Sequence, residues 1–571
     1  MRRAIATSVV VVGMSIVCAA LAQTPPPASQ PPGFPQPPRD TSAQTGTAII
    51  RGHVFEGATG QPLRKAQVRA QSPDLRDSRL ATTDANGAYE FKDLAAGRYN
   101  LSASKGSYVG LSYGQTRPFE PGKPLEVRNA QLLEKVDFTL PRGAVITGRV
   151  VDEFGEPIAD VQVAAMRYQY VQGQRRLVNA ARGSATNDIG EFRIFALPPG
   201  QYVISATYRP APPILSPNEI SNDRSGYAPT YYPGTANAAE AQRVTVAVGQ
   251  KLSDLNIALS PTKLARVSGT AVDSEGKPFA NGLVLMIQRN NGLPSIGTSG
   301  QLRPDGTFSI SNVAPGDYSL RIAGTSSAGG APSTDFLQAD LSIAGEDVSD
   351  VRVVGVKSAK VTGRIIPAPG QANTNFTSMQ LLALPLEPQA INTGGPGKVK
   401  EDGTFEMSAM PGKSTIRLNV IGAPNGARIK SVRHNGLDVT DIGIDFRPNE
   451  DVNGVEIELT TQGNSLSGSV TDARGKLVTD YTVITFARDR ERWGATSRFQ
   501  NSGRPDQEGK YKVAYLPPGD YYAIAVDYVE QGSQTDPEFL ERLKERATEF
   551  SISEAESKSL DLKLVTGVSG I

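Results

Sequence analysis

Short runs in which apolar and polar residues alternate recur along this chain: VDFTL from Val136, LNIAL from Leu255, VRVVG from Val351, VEIEL from Val455 and LDLKL from Leu560. Alternation with period two marks strands with one face buried and the other wet. Several such runs per hundred residues, separated by Gly, Pro, Asp and Asn, predict an all-β protein made of antiparallel β-sandwiches. One helix is expected near residues 536–548: Asp536 stands as N-cap, Pro537 at the first position, and Phe539, Leu540, Leu543 and Ala547 share one face. It is expected to lid its own domain.

A second pattern recurs with the strands. It reads DANGAYEFKDLAAGRY from Asp84, DIGEFRIFALPPGQY from Asp188, DGTFSISNVAPGDY from Asp305, DGTFEMSAMPGKS from Asp402 and DQEGKYKVAYLPPGDY from Asp506. In each copy an aromatic (Tyr89, Phe192, Phe308, Phe405, Tyr511) follows the first turn glycine by two residues, and a second glycine follows the first by 9 or 10. A tyrosine comes two residues after the second glycine in four copies (Tyr99, Tyr202, Tyr318, Tyr521), and Ser414 takes that place in the fourth. Upstream lies a strand with a mid-strand glycine: Gly52, Gly148, Gly269, Gly363 and Gly468. Such self-similarity specifies one small fold several times over. The expected divisions are sandwiches over 46–141, 142–260, 261–357, 358–461 (the divergent copy) and 462–571.

The start of the chain has a different character. Arg2 and Arg3 precede an apolar run from Val9 to Val17, and Ala20-Leu21-Ala22 supplies the small residues of a cleavage site, so residues 1–22 are expected to be a secretory signal peptide. A lipoprotein site at Cys18 would want a small residue before it, and Val17 stands there. Residues 23–45, rich in Pro, Gln and Ser, predict an extended linker. No later stretch approaches the length of a transmembrane helix, so an exported chain is expected, in the periplasm, at the cell surface or outside.

The combination G-x-V, G-x-P, D-x-x-G-x-[FY]-x-[FI] and L-P-P-G-x-Y, spread over about residues 46–565, resembles the carboxypeptidase regulatory-like domain, a transthyretin-like or prealbumin-like (Ig-like) sandwich. The starch-binding-like and collagen-binding B-type folds are related. The resemblance implies a tandem array of five prealbumin-like sandwiches and leaves the task open.

Chemistry narrows the choice. The only histidines are His53 and His434, neither with a glutamate three residues on, and Cys18 is the only cysteine, so a zinc peptidase site is not expected. There is no nucleophile elbow, phosphate loop or dinucleotide fingerprint. The turn aspartates do not form a calcium-loop run. With Arg2 and Arg3 set aside, 57 basic residues face 58 acidic ones, which argues against a nucleic-acid partner. No catalytic residue, metal or cofactor is therefore expected.

Differences between copies remain as the functional lead. The second copy carries the longest connection, RPAPPILSPNEISNDRSGYAPTYYPGT from Arg209 to Thr235, with Tyr227, Tyr231 and Tyr232 bracketed by Pro229 and Pro233. Long loops on rigid scaffolds carry binding, and tyrosines can stack on a sugar or peptide. SYGQTRPFEPG from Ser112 is a weaker echo in the first copy, and Trp493, in FARDRERWGATSRF, is a further candidate. The expected function is an exported, non-catalytic interaction or spacer protein whose partner is an envelope or surface protein. Stacked end to end, its sandwiches would form a rod on the order of 150 Å. The alternative is a carbohydrate-binding protein that uses the second-domain tyrosines on a glycan.

Overall fold

The computed structural model describes residues 45–568 except 73–76, 118, 172–173, 209–224, 281, 290–294, 325–334, 372–374, 387–396, 419–426, 462, 495–496 and 531. The expected signal peptide with Cys18, nearly all of the linker, and the first part of the Arg209–Thr235 loop lie outside the described residues. Among those described, the buried apolar side chains gather into five cores, running from Ala48 to Leu140, Ala144 to Leu259, Ala265 to Val353, Ala359 to Leu459 and Leu466 to Leu562. No described helix is long and apolar enough to cross a membrane.

The second sandwich shows the plan. Its opening strand, Ala144–Val151, pairs antiparallel with Glu191–Leu197, which carries the core aromatic Phe192. The facing layer is built on Gly200–Tyr208, flanked by Val161–Val171 and Val244–Val246. One feature departs from the antiparallel expectation: the closing strand runs parallel to the opening strand in every sandwich. The alternation of apolar residues reports which face is buried and carries no information on strand direction.

The recurrent glycines have two distinct physical causes. Each first turn glycine sits in the left-handed region, at φ 74°, 73°, 79°, 79° and 78° for Gly87, Gly190, Gly306, Gly403 and Gly509, where side-chain-bearing residues are strained. The mid-strand glycines answer to close approach. A Cβ on Gly52, Gly148, Gly269 or Gly363 would lie 1.9 Å from the carbonyl oxygen of Val136, Leu255, Val351 or Val455, and one on Gly468 would lie 2.1 Å from that of Leu560. In all five repeats of the motif this glycine stands directly opposite the core aromatic: Tyr89, Phe192, Phe308, Phe405 and Tyr511. Where the aromatic is tyrosine, its hydroxyl donates to the same closing carbonyl, Tyr89 to Val136 and Tyr511 to Leu560, each at 2.5 Å. The opening strand, aromatic strand and closing strand are thus pinned at one point.

The second recurrent tyrosine closes a corner. Its hydroxyl donates to the backbone carbonyl four residues back: Tyr99 to Ala95, Tyr202 to Pro198, Tyr318 to Ala314 and Tyr521 to Pro517, over 2.6–3.0 Å. The fourth sandwich, with Ser414, lacks that tyrosine. There the strand Gly397–Val399 pairs with both Gln380–Pro385 and Thr404–Ala409, so the two layers join into one continuous sheet.

The turn aspartates act as caps for local backbone amides. Asp84 and Asp506 each accept two amides, from Asn86 and Ala88 and from Glu508 and Lys510. In the second sandwich Asn187, and not the neighbouring Asp188, takes that role. Asp305 and Asp402 accept from the amide and hydroxyl of Thr307 and Thr404, and these bonds hold both carboxyls below their usual range.

The expected helix is present over Pro537–Lys544, capped by Asp536, with Phe539, Leu540 and Leu543 in the fifth core. It ends before Ala547, because strand Thr548–Ile552 begins there.

End-to-end stacking does not hold. The fifth sandwich bonds to the first, 356 to 410 positions away in sequence, as well as to the second and fourth. Nothing in the period-two pattern of a strand encodes such contacts, since they join side chains of distant loops and, at Arg167, of a strand that runs past its own layer.

Candidate functional site

The tyrosine segment resumes at Ser225–Tyr227, which pairs with Pro261–Lys263, and continues into Thr230–Tyr231, which pairs with Gly200–Tyr208. Tyr227, Tyr231 and Tyr232 are all half-buried, and Tyr227 and Tyr232 pack against the second core. Tyr227 meets Tyr208 edge to face with centroids 6.0 Å apart, and its hydroxyl donates to Glu153 Oε2 at 2.9 Å. Burial, then the Glu153 hydrogen bond, pushes that hydroxyl up to about 12. Burial likewise raises Tyr231. The segment is tied to the sandwich by its own backbone and rings.

Trp493 sits in a different sandwich. It is 9% exposed in the fifth core, its indole N–H donates to the Ala487 carbonyl at 2.7 Å, and its ring meets Phe486 edge to face at 5.4 Å. The structure therefore brings the three tyrosines to one flank of the second sandwich and leaves Trp493 among core aromatics. His53 is exposed beside Asp137, and among the described residues no group of three or more His, Cys, Asp or Glu is placed to hold a metal ion.

What the sequence reading missed is the junction around the fifth sandwich. From the first sandwich, the segment Ser112–Lys123 reaches across. Glu120 pairs with Arg504, and its other oxygen accepts from the amides of Thr116 and Arg117 at 3.1 and 3.3 Å. Lys123 Nζ donates to the Thr479 carbonyl at 2.7 Å and lies 3.2 Å from Asp480, which also accepts from the Thr116 hydroxyl. Burial opposes ionisation of Asp480, but Lys123 and Arg504 outweigh it and hold the carboxyl below its ordinary value. Further along the same edge, Gln507 bonds both the amide and the carbonyl of Glu126.

The second sandwich contributes an extended hairpin. Val161–Val171 and Gln174–Asn179 continue beyond the layer formed with Gly200–Tyr208, whose pairing stops at Met166. Past that point Arg167 pairs with Glu530 and lies 3.7 Å over the ring of Phe119 from the first sandwich. A stacked, paired guanidinium is the usual solution for a half-buried cation. From the fourth sandwich Asp441 receives two bonds from Arg498, at 2.8 and 2.7 Å, and Arg428 lies 3.6 Å over Tyr515. The docking residues come from stretches that the copies do not share, including the Ser112 echo and the Trp493 segment. Their signal in the sequence was that divergence, together with the long alternating run VQVAAMRYQYV.

Between the hairpin and the fifth sandwich lies a cavity of about 460 Å³, with walls from Tyr168, Tyr170, Tyr528 and Phe539. A larger groove of about 1240 Å³ separates the fourth and fifth sandwiches; its charges are largely used in the Arg498–Asp441, Lys430–Glu458 and Lys430–Glu554 pairs.

No curated protein matches the sequence. Among solved structures the chain is similar to a streptococcal ancillary pilin at 13% identity, covering 54% of this chain and 98% of that one with a TM-score of 0.20. It is also similar to the minor pilin GBS52 of Streptococcus agalactiae, at 12% identity over 37% and 95% with a TM-score of 0.22. The major pilin BcpA of Bacillus cereus matches at 12% over 55% and 99%, with a TM-score of 0.15. Scores of this size carry no argument about task. The family comparison is more specific, and it agrees with the motif resemblance: residues 49–140 and 145–260, the first two sandwiches, each match the model of the carboxypeptidase regulatory-like domain.

Proposed function

We propose that the chain is an exported, non-catalytic interaction protein of the cell envelope or surface, in which regulatory-like sandwiches hold one another in a fixed arrangement. One observation carries this reading. Segments that the copies do not share dock the fifth sandwich to the first, second and fourth, through Arg504–Glu120, Arg167–Glu530 and Arg498–Asp441. The fixed arrangement then offers outer strand edges and loops to a partner protein, a mode of recognition open to exposed sheet edges. Export is supported by the Arg2-Arg3 start, the apolar run to Val17 and the Ala20-Leu21-Ala22 site.

Cross-linking of the full chain in its native cells, followed by purification from the envelope fraction and mass spectrometry, tests this. The expected result is internal cross-links between the first and fifth sandwiches and, in addition, links to one recurrent envelope protein. Recovery from the cytoplasm, or from the envelope with internal links only, would sink the reading.

A further inference from the structure

We infer that the cavity between the second-sandwich hairpin and the fifth sandwich binds a compact carboxylate that carries an apolar face. Its volume of about 460 Å³ falls in the range of small-molecule sites and suits one or two rings. Its floor is aromatic, from Tyr170, Tyr528 and Phe539. At one side Tyr168 holds two guanidinium groups, Arg175 at 4.5 Å and Arg243 at 5.6 Å from its ring centroid, and Arg542 lies 5.7 Å from the centre of Phe539.

The charges in this space are unevenly satisfied. Glu530 is taken by Arg167, while Asp536 caps the helix through the Glu538 amide and faces the Tyr170 hydroxyl. Among the described residues, Arg175, Arg243 and Arg542 have no carboxylate partner. Like charges gathered on one ring repel, and a bound anion relieves that repulsion while accepting from their N–H groups. A long polyanion does not fit the size of the cavity, and the chain as a whole, with 59 basic and 58 acidic residues, has no field to attract one. A single carboxylate set beside a ring or apolar side chain meets both the cations and the aromatic floor. An acidic sugar and an N-acylated amino acid share this chemistry. The inference does not depend on the proposed envelope role, because it concerns a cavity internal to the chain.

Calorimetric titration of the full chain with glucuronate and with N-acetylphenylalanine, each beside its neutral counterpart (glucose, N-acetylphenylalanine amide), tests the site. At least one acid is expected to bind about tenfold or more tightly than its counterpart, and which acid does so separates a sugar source from a peptide source. Arg175→Gln/Arg243→Gln is expected to weaken that acid by about tenfold or more. Both arginines are exposed, so an unchanged thermal unfolding profile is the control for folding, and Arg175→Lys/Arg243→Lys is expected to recover part of the affinity. Absence of binding by both acids, equal binding of acid and neutral counterpart, or wild-type affinity in the glutamine variant would each overturn the inference.

Discussion

Arg504 of the fifth sandwich and Glu120 of the first form an ion pair from which water is almost wholly excluded, with side chains 3% and 1% exposed. Glu120 is also held by the amides of its own loop, and Arg504 by Asp480 at 2.6 Å. A buried pair of this kind adds little over an apolar contact of equal shape, yet removing one partner strands the other charge without water.

Arg504→Ala is therefore expected to cost about 3–5 kcal/mol at the junction, whereas Arg504→Met/Glu120→Leu is expected to recover most of it. Urea unfolding followed at Trp493, the only tryptophan in the chain, reports on the fifth sandwich directly. Equal stability of Arg504→Ala and the wild type would show that the pair does not hold the junction.

Gly269→Ala places a methyl group 1.9 Å from the Val351 carbonyl, a backbone atom that cannot rotate away. The third sandwich is expected to lose about 3 kcal/mol or more, as its closing strand is forced off the opening strand. Amide hydrogen exchange should show protection lost over residues 348–354 while the fifth sandwich stays protected. Wild-type exchange there would refute close approach as the reason for this glycine.

Tyr521→Phe removes one hydrogen bond, to the Pro517 carbonyl at 2.6 Å, and leaves the ring in place. A loss of about 1 kcal/mol is expected in the fifth sandwich, read from the Trp493 transition. A much larger loss would mean that the hydroxyl supports more than its corner.

Asp480 supplies a pH dependence whose sign is fixed. Its carboxyl lies below its ordinary value when the sandwiches are docked, through Lys123 and Arg504 acting against burial. Arg504 belongs to the same sandwich as Asp480, so only the share supplied by Lys123 depends on docking; that share is complete above the undocked value and is lost as pH falls through the lower docked value. Hydrogen exchange at residues 112–123 should accelerate below about pH 4, and less so in Asp480→Asn, which already lacks the charge. An identical acid response in both proteins would exclude Asp480 as its source.

Much of the fold was legible along the chain. Period-two alternation located the closing strands, and the spacing of turn glycines, core aromatics and corner tyrosines located one unit after another. These features act between near neighbours or within one small sandwich, so they leave a local record. The mid-strand glycines were visible too, but their cause, a closing carbonyl that would lie 1.9–2.1 Å from any added Cβ, appears only once three strands are brought together.

The candidate site was less legible. Tyr227, Tyr231, Tyr232 and Trp493 stood out as aromatic, yet aromatic side chains serve cores and ligands alike, and only packing tells which. Trp493 proved to face Phe486 and the Ala487 carbonyl. The cavity flanked by Arg175 and Arg243 is made by segments nearly 300 or more residues apart in sequence, the second-sandwich residues on one side and those from Tyr528 onward on the other.

By itself, then, the sequence determined the all-β class, the repeated unit and the near-neutral charge, because strand periodicity, turn conformation and net charge are short-range or additive properties. The tertiary structure alone decided that the closing strands run parallel, that Glu120 meets Arg504, and that the fifth sandwich returns to the first. Those outcomes depend on which surfaces are complementary in three dimensions, and complementarity between distant segments has no period along a chain.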